Sequence, residues 1–153
     1  MKLTIGQNAP SFSLYNTNKQ LVELSQLKGK KVVLLFFPAA FTSTCTKELC
    51  SLRDDLAWYN NVNAVVFGIS TDALYSLAKY KEEQNLNFEL LADYNKEVSG
   101  FYGAQYEVFN FGMKGTSRRA AFVIDEEGII KYAEVLESAS DLPNFQKVKD
   151  ALM

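Results

Sequence analysis

"VVLLFFPAAFTSTCTKELC" (residues 32–50) joins an unbroken β-branched and aromatic run to a proline, then to a threonine- and serine-rich turn carrying both cysteines of the chain. "VVLLFF" (Val32 to Phe37) has the composition of a strand buried on both faces, which makes it a central strand of an α/β sheet. Pro38 closes that strand. Beyond it, Leu49, Leu52, Leu56 and Tyr59 recur at steps of three and four, so the spacing predicts an amphipathic helix from about Ser43 to Asn60. Cys45 then sits in the first turn of a helix at the carboxyl end of a central strand, where open α/β sheets place their ligands. The unpaired amides and positive dipole end of that helix favour a thiolate over a thiol. A small buried hydrophobe is the other reading of such a cysteine. Pro38 and Thr42 beside it favour the chemical one, since a threonine hydroxyl three residues before the sulfur can donate to it and accept from a bound hydroxyl.

On the amino side, "FSLYN" and "LVELS" flank "TNK" as an N-terminal hairpin. On the carboxyl side come a second buried strand, "AVVFGIS" (Ala64 to Ser70), and a helix "TDALYSLAKYKEEQ" capped by Thr71 or Asp72. A short strand or extended segment, "FELLAD", precedes a short helix ending at Gly103. "RRAAFVIDEEGIIKYAEV" is a hairpin around an Asp-Glu-Glu-Gly turn, and the last helix begins near Ser140 or Asp141. The order describes one domain over residues 1–153, a mixed α/β sheet with helices on both faces and an N-terminal hairpin. Gln105 to Ser117 is the one long irregular segment and a candidate flank of the site.

Composition limits the chemistry. The 153 residues are 48% hydrophobic and carry a net charge of -2 without charge blocks, so no nucleic-acid partner is expected. The longest apolar run is far short of a membrane span and the N-terminus lacks a signal-peptide core, so a soluble, cytoplasmic protein is expected. With no histidine, Ser-His-Asp, Cys-His and HExxH chemistries are excluded, and no phosphate-cradling glycine motif is present; neither metal nor cofactor is expected.

"PAAFTSTC" fits Pro-x-x-x-Thr-x-x-Cys and so resembles the active-site signature of the peroxiredoxins, a thioredoxin-fold peroxidase family. "GQNAPSFSL", "VVLLFFP", "LRDDL", "GIS", "LLAD" and "RRAAFVIDEEGII" resemble that family in the same order. The resemblance implies that Cys45 attacks a hydroperoxide, hydrogen peroxide or an organic one, and becomes a sulfenic acid. It implies that Pro38 shields the sulfur, that Thr42 hydrogen-bonds thiolate and peroxide, and that the amides of Thr44 and Cys45 donate to the peroxide oxygens. The family arginine matches Arg119, with Arg118 second. Glu48 either orients that arginine or is an exposed helix carboxylate. Phe41, Phe109 and Phe111 are candidates for an apolar collar around organic peroxides, or for ordinary packing.

Five helical residues rise about 7.5 Å and rotate about 140° net, which puts the Cα atoms of Cys45 and Cys50 roughly 9 Å apart, beyond disulfide reach unless the helix unwinds. Cys50 lies off the leucine stripe and is expected to be an accessible thiol. Resemblance to the bacterioferritin-comigratory-protein (Q) type implies that Cys50 resolves the sulfenic acid as a disulfide, reduced by a thioredoxin or glutaredoxin-like donor. Resemblance to the alkyl hydroperoxide reductase E type implies a one-cysteine enzyme served by an external thiol. A redox sensor that passes oxidation to a partner would use the same Cys45. A homodimer is implied by the resemblance alone.

Overall fold

The computed structural model describes residues 2–153. Its nine strands are β1 (Ser13–Asn16), β2 (Leu21–Glu23), β3 (Lys31–Phe36), β4 (Ala64–Ser70), β5 (Glu89–Ala92), β6 (Val108–Phe109), β7 (Met113–Lys114), β8 (Ala120–Ile124) and β9 (Ile130–Val135). The helices are α1 (Ser43–Asp54), α2 (Leu56–Asn61), α3 (Leu74–Gln84), α4 (Glu97–Phe101) and α5 (Phe145–Ala151). Seven strands form one sheet in the order β2-β1-β5-β4-β3-β8-β9. β3, β4 and β5 run parallel, while β8 and β9 on one flank and the β1–β2 hairpin on the other run antiparallel.

β3 lies between β4 and β8, and its side chains alternate between two cores. Val33, Leu35 and Phe37 enter one, with Leu49 and Leu52 of α1, Leu77 and Tyr80 of α3 and Val148 of α5. Val32, Leu34 and Phe36 enter the other, with Val98 of α4, Tyr102 and the N-terminal Phe12 and Leu14. Each such side chain stabilises the fold by about 1.5–3 kcal/mol. The apolar run in the sequence is therefore the sum of two alternating faces. Gly68 on β4 belongs to this packing: a Cβ there would come within 2.7 Å of a Leu90 methyl.

Three helix boundaries differ from the sequence reading. The helix from Ser43 to Asn60 is broken at Asp55, whose φ of -110° and ψ of 9° separate α1 from α2. Two adjacent aspartates at the negative end of a helix dipole disfavour continuation, and Asp55 is drawn into an ion pair with Lys149 of α5. α3 begins after Ala73 with no side-chain cap, because Asp72 accepts instead from the Ala40 amide and the Ser70 hydroxyl. α5 starts at Phe145, capped by Asn144, whose side chain accepts from the Lys147 amide at 3.1 Å; Ser140 and Asp141 lie upstream. Among the described residues no helix is long and apolar enough to cross a membrane.

Candidate active site

Cys45 is the third residue of α1, just past the carboxyl end of β3. Thr42 is the N-cap, and the first helical hydrogen bond runs from the Thr46 amide to the Thr42 carbonyl at 3.0 Å. The amides of Ser43, Thr44 and Cys45 thus precede the intrahelical ladder, and no side chain caps them. They form an anion-favouring end beside the sulfur.

The loop that delivers the helix is tied down at each step. Pro38 is buried, the Ala40 amide donates to Asp72 Oδ2 at 2.9 Å, and Thr42 Oγ1 donates to the Ala39 carbonyl at 2.7 Å. The Thr42 hydroxyl proton is therefore held by the loop rather than by the sulfur, and only its lone pairs face an incoming hydroxyl. Phe41 takes a left-handed φ of 67° and packs edge-on against Tyr80, ring centroids 5.0 Å apart. It is not among the residues that line the cleft around Cys45, so of the two readings offered for Phe41 its contact with Tyr80 favours packing over a collar or substrate contact. Tyr80 Oη donates to Thr46 Oγ1 at 2.8 Å, and burial, the largest influence, pushes its phenol up to about 12, so it remains a donor.

Arg119, just ahead of β8, is 1% exposed and makes three contacts. Nη2 donates to Cys45 Sγ at 3.2 Å and to the Ala139 carbonyl at 2.9 Å, while Nη1 donates to Glu48 Oε1 at 2.6 Å. Glu48 is fully buried, one turn after Cys45. It does not line the cleft as a substrate contact and lies behind the arginine instead. Burial pushes the Glu48 carboxyl up to about 7 against the lowering pull of Arg119. Burial opposes the charge on Arg119 as well, but Glu48 and the sulfur outweigh it and hold its pKa above the ordinary value. Among the described residues Glu48 Oε2 and Arg119 Nε have no hydrogen-bond partner. Arg118 turns away: its Nε donates to the Gln105 carbonyl at 3.1 Å and its guanidinium lies 4.9 Å from the Tyr106 ring centroid.

A cleft of about 460 Å³ opens over this group, lined by Pro38, Thr42, Cys45, Phe109, Phe111 and Arg119 among others. Phe111 is fully exposed at a left-handed φ of 60°, on the tight turn joining β6 to β7. The irregular segment 105–117 thus supplies one wall. Cys50, by contrast, is a free thiol but half-buried rather than openly accessible as expected: it packs against the helix-side core and its Sγ donates to Gln84 Oε1 at 3.4 Å. The Ala139 carbonyl and Asp72 were absent from the sequence reading of the site. A backbone acceptor leaves no sequence signal, and the Asp72 carboxylate reads as an ordinary helix cap.

The arrangement can hold an anionic sulfur beside a fixed cation in the cleft. The chain matches the AhpC/TSA family over residues 5–133. It is 40% identical over 131 residues to the putative peroxiredoxin bcp of Coxiella burnetii, covering 85% of this chain and 87% of that one. It is 36% identical over 129 residues to peroxiredoxin Bcp of Bacillus subtilis, covering 84% and 82%. The crystal structure of peroxidoxin BcpB from Mycobacterium tuberculosis superposes with a TM-score of 0.83 at 30% identity, over 98% of this chain and 94% of that one. The chain belongs to the AhpC/TSA family, as a peroxiredoxin of the Bcp/Q type and hence a thiol-dependent peroxidase of thioredoxin-like fold.

Proposed function

We infer that Cys45 is the peroxidatic cysteine and Cys50 its resolving partner, in a two-cysteine cycle that reduces hydrogen peroxide and organic hydroperoxides. The observation that carries this is the 3.2 Å contact from Arg119 Nη2 to Cys45 Sγ, fixed from behind by Glu48. The Cys45 thiolate attacks one peroxide oxygen; an S–O bond forms as the O–O bond breaks, and the departing oxygen leaves as water or alcohol once protonated. The amides of Thr44 and Cys45, left outside the helical ladder, and the Arg119 guanidinium, 3.2 Å from the sulfur, support a role in stabilising the charge that builds on the oxygens. The lone pairs of Thr42 Oγ1 accept from the peroxide hydroxyl, and Pro38 keeps water off the sulfur. Phe109 and Phe111 offer apolar contact to an organic chain, which widens the substrate class beyond hydrogen peroxide.

Cys50 then condenses with the sulfenic acid, and a thioredoxin or glutaredoxin-like dithiol reduces the disulfide. A reducing compartment such as the cytoplasm is the setting this reading requires. A homodimer belongs to the reading only through the family. The test is intact mass after one equivalent of hydrogen peroxide, on wild type and Cys50→Ser. A loss of about two mass units in wild type and a gain of about sixteen in the variant support the cycle; a gain of about sixteen in both makes this a one-cysteine enzyme.

A further inference from the structure

We propose that Gln84, at the carboxyl end of α3, is a positioning residue for the resolving step: its side-chain carbonyl holds Cys50 in place and sets how fast that thiol reaches oxidised Cys45. The inference rests on the resolving role given to Cys50 above.

Cys50 Sγ donates to Gln84 Oε1 at 3.4 Å. The main chain doubles the hold, because Arg53 Nη1 donates to the Gln84 carbonyl at 2.6 Å and Asn87 Nδ2 donates to the Arg53 carbonyl at 3.1 Å. These contacts tie the last turns of α1 to residues 84–87. That anchor is rigid on its own account. Asn85 ends α3 in a left-handed conformation with φ of 51°, and Leu86 and Phe88 are buried in the helix-side core, each 5% exposed. The part that must give way is α1.

The chemistry shows why the tie matters. Condensation forms the Cys45–Cys50 S–S bond and breaks the S–O bond of the sulfenic acid. The Cys50 proton leaves with the oxygen as water, so Cys50 is oxidised as the sulfenic sulfur is reduced, and no other reagent is consumed. Helical geometry keeps the two Cα atoms roughly 9 Å apart, against the ~7 Å limit for a disulfide. Cys50 must leave Gln84 before the bond can form. A thiol that is donating to a carbonyl is also not the attacking thiolate. Gln84 therefore slows resolution and lengthens the life of the sulfenic acid.

Three variants test this: Gln84→Met keeps the length and removes the acceptor, Gln84→Glu replaces the amide with a stronger acceptor that opposes the thiolate, and Arg53→Met releases the main-chain tie. Each is mixed with one equivalent of hydrogen peroxide, quenched with dimedone at intervals and followed by intact mass. The sulfenic acid is expected to live about threefold shorter in Gln84→Met and Arg53→Met and about threefold longer in Gln84→Glu, a few-fold effect being the scale of one weak hydrogen bond. Its rate of formation is expected to be unchanged in all three. The opposite signs of Met and Glu separate a specific hold from general loosening of the helix. Equal lifetimes in wild type and variants, with disulfide still formed, or shifts of one sign in both Gln84 variants, would overturn the role of Gln84 alone. Absence of any disulfide in wild type would overturn the resolving role of Cys50 and this inference with it.

Discussion

The two cysteines share one helix and live in opposite surroundings. Cys45, at its amino end, lies in the turn that carries three amides outside the helical ladder and has a guanidinium at 3.2 Å, all of which stabilise negative charge. Cys50, five residues on, meets a neutral amide carbonyl at 3.4 Å, which accepts from the protonated thiol. One end of α1 thus prepares a nucleophile, and the other stores a thiol until the helix opens. The difference comes from position on the dipole and from the neighbours that tertiary packing supplies.

Exchanging each cysteine for serine tests that contrast most severely. Cys45→Ser is expected to abolish peroxide consumption with dithiothreitol as reductant, whereas Cys50→Ser is expected to keep the first step and to lose only the internal disulfide. A Cys45→Ser protein that still turned over peroxide would end this account. The next effect in size belongs to the cation. Arg119→Met is expected to slow sulfenic acid formation by about 10²–10³-fold, the usual scale for removing one group that stabilises developing charge. The fold is expected to survive at neutral pH, because without the lowering pull of Arg119 the buried Glu48 carboxyl takes up its proton. Thermal melts of the variant beside its stopped-flow rate check both halves.

Glu48 supplies a pH signature. Its ordinary value of 4.5 is raised to about 7 in the folded state, so the unfolded chain loses this proton first as pH rises. Stability from this group is fully present below about pH 4.5 and is lost up to about pH 7, a change of about 3 kcal/mol at most. Denaturant titrations from pH 4 to 8 are expected to show that decline in wild type and a flatter profile in Glu48→Gln. The smallest effect is reserved for Arg118, whose guanidinium serves Gln105 and Tyr106 rather than the sulfur. Arg118→Ala is expected to leave the rate of sulfenic acid formation within a factor of about two.

Two adjacent arginines were indistinguishable by composition, and the strand separates them. Entry into β8 sends Arg119 inward to Glu48 and Cys45, and leaves Arg118 on the opposite side against Tyr106. Glu48 had the same ambiguity: the 45-to-48 spacing put it one turn past Cys45, but whether that face was solvated or buried depended on where β8 lay. The aromatic candidates divided for a similar reason. Phe109, at the end of β6, and Phe111, on the β6–β7 turn, line the cleft, while Phe41 packs on Tyr80 from a left-handed backbone.

The sequence by itself determined the two-faced central strand, its stop at Pro38, the helix beginning near Ser43, and a cysteine in its first turn. Each is a matter of local periodicity or backbone stereochemistry over a few residues. Only the tertiary structure decided that the helix breaks at Asp55, that Asp72 holds the Ala40 amide, that the Ala139 carbonyl shares Nη2 of Arg119, and that Gln84 receives Cys50. The last three contacts join groups 20 to 34 residues apart, or need a carbonyl that every residue carries, and the break at Asp55 combines its adjacent aspartates with an ion pair to the distant Lys149; no local pattern encodes which distant pair will meet.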